Sequence, residues 1–291
     1  MKLSNLKCTV PRCQAENLRN AAICKKCGSS LGFVTVNLLS DPYFQEGLDT
    51  RYEALSAGFE ANGNGDYVKR FENSVWSEGK AVINMDSRLL FKIVNENEDY
   101  LSYQRAVEQG KRAKADFEND QNRCVVESAF YGYDGRNIVY AALALDEKGL
   151  ESYGDVSVVL RTEDIEARTT VFETNTYFLF DELVAKGWRV RELMPAGYCG
   201  TWNDRAKIAA IKHGAQIGEN QGVADFAALI LRSDGDRKND VLLELHIFNQ
   251  VGPYQFEKVN LEPKTSSKFK RIESKVLKSK LADLGVMVTG I

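Results

Sequence analysis

VLLELHIFNQ, residues 241–250, is the stretch that decides how the body of this chain is built. Side chains alternate along a strand, so Val241, Leu243, Leu245 and Ile247 form one wholly apolar face. Leu242, Glu244, His246, Phe248 and Gln250 form the other. Glu244 and His246 therefore point the same way from a strand with apolar flanks. A carboxylate there loses solvation, which raises its pKa unless a partner charge compensates. Such a group can orient or activate a hydroxyl or a nucleophile. The alternative is a Glu–His pair on the open, solvated face of an antiparallel sheet.

Working outward, further strands are expected at Ile138–Leu145, Val156–Leu160, Thr170–Phe180 and Phe226–Leu231, with helices at 181–187 and 203–213 and a basic one near 267–281. Runs of strands with intervening helices predict an α+β domain on a mixed or antiparallel sheet. Ser233–Asp240 reads as the hairpin turn joining the last two strands. As a calcium loop it fails, because Lys238 falls where a ligand is required. Before the sheet, residues 86–95 offer a short helix, and 98–120 a charged helix or loop. Residues 41–61 form a helix that Ser40 or Asp41 can cap, with Pro42 in its first turn and Phe44, Leu48, Tyr52, Leu55 and Phe59 as its stripe. Asn62-Gly63-Asn64-Gly65 breaks it, and a second helix presents Tyr67 or Val68, Phe71 and Val75. The chain thus divides into 1–32, a helical hairpin at 33–79, and the α+β domain at 80–291.

The first segment carries the most specific signal, Cys8-x4-Cys13-x10-Cys24-x2-Cys27 followed by Gly28. Two close thiol pairs, each on a tight turn whose amides can bond the sulfurs, suit a tetrahedral cation. Four thiolates with no open position describe a structural Zn2+ site, with disulfides the alternative. With Asn17, the pattern C-x4-C-x3-N-x6-C-x2-C resembles the Ran-binding-protein type of zinc finger, a small ribbon that holds single-stranded RNA or ubiquitin. Leu6 stands where that family has tryptophan, and Gln14-Ala15 replace the Thr-Phe of ubiquitin binders. A generic bacterial zinc ribbon fits the same cysteines.

Net charge is −3, but it is segregated. Lys2, Lys7, Arg12, Arg19, Lys25 and Lys26 face only Glu16 in the ribbon; Lys264, Lys268, Lys270, Arg271, Lys275, Lys278 and Lys280 face only Glu273 near the end. Basic ends on an acidic body point to a protein or nucleic-acid partner through the ribbon or the terminal helix, or to solvated lysines. No run of eighteen apolar residues predicts a membrane span, and the first residues lack the apolar core of a signal peptide. Thiolates kept for a metal imply a reducing, cytoplasmic setting, with Cys124 and Cys199 as unbridged thiols. Cys199, in Gly197-Tyr198-Cys199-Gly200, reads as the more accessible of the two.

Two more pieces of the body are chemically suggestive. Arg168 enters a segment in which Thr170, Phe172, Thr174 and Thr176 share a strand face; a guanidinium fork with hydroxyls suits a phosphate or ribose. Threonine is also an ordinary strand residue. Tyr131, Tyr133 and Tyr140, with Arg136, can stack on a flat ring or fill a core. The order NIVYAALAL, YGDVSVVL, ARTTVFETNT, LLELHIFNQV resembles bacterial ADP-ribosyltransferase-type domains of toxins and conflict systems, over roughly residues 81–261. The resemblance implies NAD as cofactor, held by Tyr140, Arg168, Thr170 and Thr174. It also implies Glu244, with His246, as the catalytic pair, modifying a protein or nucleic acid. Leu242 stands where the family often has Gln or Glu, and no Ser-Thr-Ser is present. The competing function is a non-catalytic zinc-containing adaptor. With only His213 and His246 as histidines, and no G-x-S-x-G or H-E-x-x-H, serine hydrolase and zincin chemistry are set aside. His213 reads as the end of a helix terminated by Gly214.

Overall fold

The computed structural model describes residues 5–8, 10–18, 21–113, 118–187, 195–261 and 271–290. Lys2, Arg19, Lys264, Lys268 and Lys270 lie outside these residues, as do positions 267–270 of the expected basic helix. The architecture is α+β. A two-stranded antiparallel ribbon, β1 (Leu6–Lys7) and β2 (Glu16–Asn17), precedes three helices: α1 (Val34–Leu39), α2 (Pro42–Ala61) and α3 (Gly65–Glu78). Asp41 caps α2 by accepting from the Tyr43 amide at 3.0 Å, with Pro42 at the first helical position.

An eight-stranded sheet follows, made of β3 (Lys80–Met85), β4 (Ile138–Ala144), β5 (Val156–Leu160), β6 (Thr169–Phe172), β7 (Cys199–Thr201), β8 (Glu244–Phe248), β9 (Phe256–Leu261) and β10 (Met287–Thr289). Its spatial order is β10-β9-β5-β3-β4-β8-β6-β7, with β9 and β10 parallel and the other pairs antiparallel. The remaining helices are α4 (Ser87–Glu96), α5 (Tyr103–Glu108), α6 (Glu118–Tyr131), α7 (Thr162–Ile165), α8 (Thr176–Ala185), α9 (Arg205–His213), α10 (Val223–Ile230) and α11 (Arg271–Asp283). No helix among the described residues is long and apolar enough to cross a membrane.

Register divides the sheet into two faces. Leu245 pairs with Ala141 and Val171, and Val158 with Ile83 and Val259, so these residues line one wholly apolar face. It shares a single hydrophobic cluster with Leu48 and Phe59 of α2, Phe71 and Val75 of α3, Leu90 of α4, Ile208 of α9, Phe226 of α10 and Leu281 of α11. The helical hairpin expected at 33–79 is thus packed into the core of the sheet. On the opposite face His246 pairs with Tyr140 and Thr170, and Glu244 with Ala142 and Phe172. A second cluster covers that part, with Leu38 and Leu39 of α1, Phe130 and Tyr131 of α6, and Leu179 and Leu183 of α8.

Several elements differ from the sequence expectation. Phe226–Leu231 is not a strand but lies in α10 and the residue after it. Phe226, Ala227 and Ile230 fall on one buried helical stripe, and the Asp225 carboxylate accepts from the Gly222 amide at 2.9 Å. The strand expected at Thr170–Phe180 stops at Phe172, because the Asn175 side chain accepts from the Tyr177 amide at 2.9 Å and starts α8. The 233–240 turn does reverse the chain, closed by an Arg232–Val241 bridge, but it joins a helix to a strand. Cys199 is buried, its thiol donating to the Pro195 carbonyl, and Cys124 is the more accessible one. Gly214 does not terminate its helix through positive φ. It continues into a 3-10 turn at φ −54°, and a Cβ there would lie 2.4 Å from the Phe59 ring.

Candidate functional site

Two constellations on this frame carry chemistry. In the ribbon, the sulfurs of Cys8, Cys13, Cys24 and Cys27 all lie within 4.8 Å of one another. Cys8 and Cys27 are 3.6 Å apart and Cys13 and Cys24 3.7 Å. A tetrahedron with Zn–S bonds of about 2.3 Å has edges of about 3.8 Å, so these spacings suit a zinc-sized cation. Each knuckle ends in a left-handed residue after its second cysteine, Gln14 (φ 48°) and Gly28 (φ 71°). Asn17 ties the two knuckles together: its side chain donates to the Ala15 carbonyl at 2.8 Å and to the Cys24 sulfur at 3.7 Å, and accepts from the Lys25 amide at 2.9 Å. The amides of Cys27 and Lys26 draw the Cys24 thiol down to about 6. The four cysteines can hold a metal ion, and the donor set is that of a closed zinc site.

The second constellation lies between β4, β8 and β6 below and α6 and α8 above. The Glu244 carboxylate accepts from the Thr176 amide at 2.7 Å and stands 3.1 Å from His246 Nε2. The other imidazole nitrogen, Nδ1, is 2.6 Å from the Tyr131 hydroxyl. Burial alone would raise the Glu244 pKa, but His246 and the Thr176 amide and hydroxyl outweigh it and hold the pKa below the ordinary value. Burial keeps Tyr131 protonated. Both imidazole nitrogens are thereby engaged, Nδ1 by the Tyr131 hydroxyl and Nε2 by the Glu244 carboxylate. A branch continues alongside. The Tyr140 hydroxyl donates to Glu127 at 2.9 Å and Gln104 donates to the same carboxylate at 2.6 Å, while Arg123 stacks 4.6 Å over the Tyr140 ring. Burial pushes Glu127 up to about 7.

Of the residues implied by the sequence, Glu244, His246, Tyr140 and Thr170 come together here, Tyr140 and Thr170 flanking His246 as direct cross-strand neighbours. Thr174 lies in the bend before α8, half-buried. Arg168 does not join them. Its Nη1 donates to the carbonyls of Phe248, Asn249 and Gln250 at 2.6, 3.3 and 3.1 Å, clamping the chain beyond the far end of β8. Glu127, Arg123, Gln104 and the amide of Thr176 escaped sequence reasoning. One signal for Glu127 was present: it lies four residues after Arg123 and three and four before Phe130 and Tyr131, a lone acid on an apolar helical stripe.

No protein-family model matches the chain, and no curated protein matches it. The resemblance to ADP-ribosyltransferase domains therefore rests on the sequence pattern alone.

Proposed function

We propose that the chain is a zinc-binding adaptor, in which the four-thiolate ribbon is a docking module and the α+β body is its scaffold. The observation that supports it is the thiolate geometry, with spacings close to a tetrahedral S4 site and amides aimed at the sulfurs. A closed donor set leaves no position for a substrate, so the ion holds the fold of a ribbon too small to fold on its own core. Leu18 and Ile23 are exposed at 72% and 62%. They share the ribbon with exposed Lys25 and Lys26. Four thiolates and Zn2+ add about −2 and offset those lysines, which favours a protein over a polyanion as partner. In the body, both ring nitrogens of His246 are already engaged by Tyr131 and Glu244, as a structural network requires. The test is the metal content of the purified chain. One zinc per chain is expected, with thiolate charge-transfer bands on cobalt substitution and loss of both in Cys24→Ser. A chain that retains no metal overturns the reading, and a salt-sensitive shift with RNA replaces the protein partner with nucleic acid.

A second reading, an NAD-dependent ADP-ribosyltransferase-like body acting in bacterial or phage conflict, is favoured by one observation: an ionised Glu244 sheltered beside His246, Tyr140 and Thr170. Arg168, spent on backbone carbonyls, gives it no support. On this reading Glu244→Gln lowers NAD turnover by roughly two to three powers of ten, and an unchanged rate removes it.

A further inference from the structure

A polar groove of about 420 Å³ lies away from the thiolate ribbon, where the chain after α4 and α5 meets Asn137, just before β4, and Asn249 and Gln250 just after β8. Small-molecule pockets are ordinarily apolar with a few polar anchors; this one is mainly polar, with Leu101 its apolar lining residue. Its charges are largely spent internally. Lys111 pairs with Glu98 at 2.9 Å, and Arg105 is bonded to Asn137 at 2.9 Å and to Glu108 at 3.2 Å. Asn97, Asp99, Gln109, Asn249 and Gln250 complete its polar lining. Asn97 and Asn249 both hold left-handed backbone, at φ 53° and 68°, a conformation asparagine tolerates better than most residues.

Beside this groove stands an aromatic ring. Tyr254 is 64% exposed. A Cβ on Gly252 would lie 2.5 Å from the Tyr254 ring and 2.7 Å from the Asp99 carboxylate, so the ring and the carboxylate adjoin, and glycine is the residue that lets them. The backbone beneath is fixed by the reciprocal Tyr100–Val251 bridge.

We propose that this groove binds a neutral polyhydroxylated ligand, a saccharide. Carboxamides and a carboxylate offer paired donors and acceptors to neighbouring hydroxyls, and a flat ring accepts the C–H face of a pyranose. Internally paired charges give a phosphate or a polycation little to bind. The groove is independent of the zinc and Glu244 readings, and its failure leaves both intact.

The test is saturation-transfer NMR on the full chain with maltose, cellobiose, lactose and N,N′-diacetylchitobiose, with inositol hexakisphosphate as the charged competitor. At least one disaccharide binds. Gln250→Ala and Tyr254→Ala each weaken it about tenfold, the cost of a lost hydrogen bond or ring contact. Both residues are exposed, so the melting temperature stays that of the parent; Gln109→Ala serves where either variant is unstable. The proposal is overturned when none of the four sugars binds, when all variants tested bind as the parent does, or when inositol hexakisphosphate displaces the sugar.

Discussion

Leu245 and His246 are adjacent in β8 and both are hidden from solvent, at 0% and 1% exposure, yet they face opposite layers. Leu245 lies between Ala141 and Val171 in a hydrophobic layer; His246 lies between Tyr140 and Thr170 in a layer threaded by hydrogen bonds. The apolar face is held by area, which is non-directional and graded with volume. The other is held by matched donors and acceptors, where removing one partner strands the rest. One sheet therefore has one face that tolerates repacking and one that specifies a single arrangement.

The difference can be broken most strongly at Glu244. Glu244→Ala leaves His246 and the Thr176 amide without their acceptor and is expected to cost about 4 kcal/mol in denaturant unfolding. Replacing Glu244 and His246 together by Met and Leu is expected to cost less than that single change, since it removes the polar demand along with the partner. If the double variant is the weaker one, the network is not what separates the two faces. Leu245→Ala, on the apolar side, is expected to cost about 3 kcal/mol through its cavity, with no such rescue.

The pH dependence sharpens the contrast, because each layer buries a titratable group of opposite sign. Glu127 is raised by burial from 4.5 to about 7. Its folded form keeps a proton that the unfolded form has lost, so its stabilisation is complete below the unfolded value and disappears as pH rises through 7. The change is about 3 kcal/mol, and Glu127→Gln should abolish it in melts between pH 4.5 and 8. His213, at the end of α9, is lowered by burial from 6.5 to about 3, with Lys212 and Arg232 adding to the shift. Its stabilisation is complete above the unfolded value and is lost as pH falls toward 3, so an apolar replacement should flatten the acid limb instead. Smallest is Tyr140→Phe, which removes one hydrogen bond to Glu127 and should cost about 1 kcal/mol.

Much of this was readable where the determinant is local in the chain. Asp41 with Pro42 marked the start of α2, and the apolar run Val156–Leu160 matches β5 to the residue. The cysteine spacing announced a cluster able to hold a metal ion, because each knuckle is closed within a few residues. Phe226–Leu231 reads as a strand because a short apolar run has no period that separates a buried strand from a buried helix; within Thr170–Phe180 the Asn175 cap ends the strand that the flanking threonines and aromatics suggest. The partners of Glu244 were unreadable, since Tyr131 lies 115 residues from the histidine it bonds and Thr176 lies 68 from Glu244.

By itself the sequence determined which side chains of β8 share a face and which thiols can share an ion, because alternation along one strand and short turns are properties of a few consecutive bonds. Only the tertiary structure decided what those side chains meet. It sent Arg168 to backbone carbonyls, gave His246 a tyrosine on one nitrogen and a carboxylate on the other, and set Tyr254 beside Asp99 at the edge of a groove. Such pairings depend on how strands and helices distant in the chain are stacked, and burial then fixes the charge each group can carry.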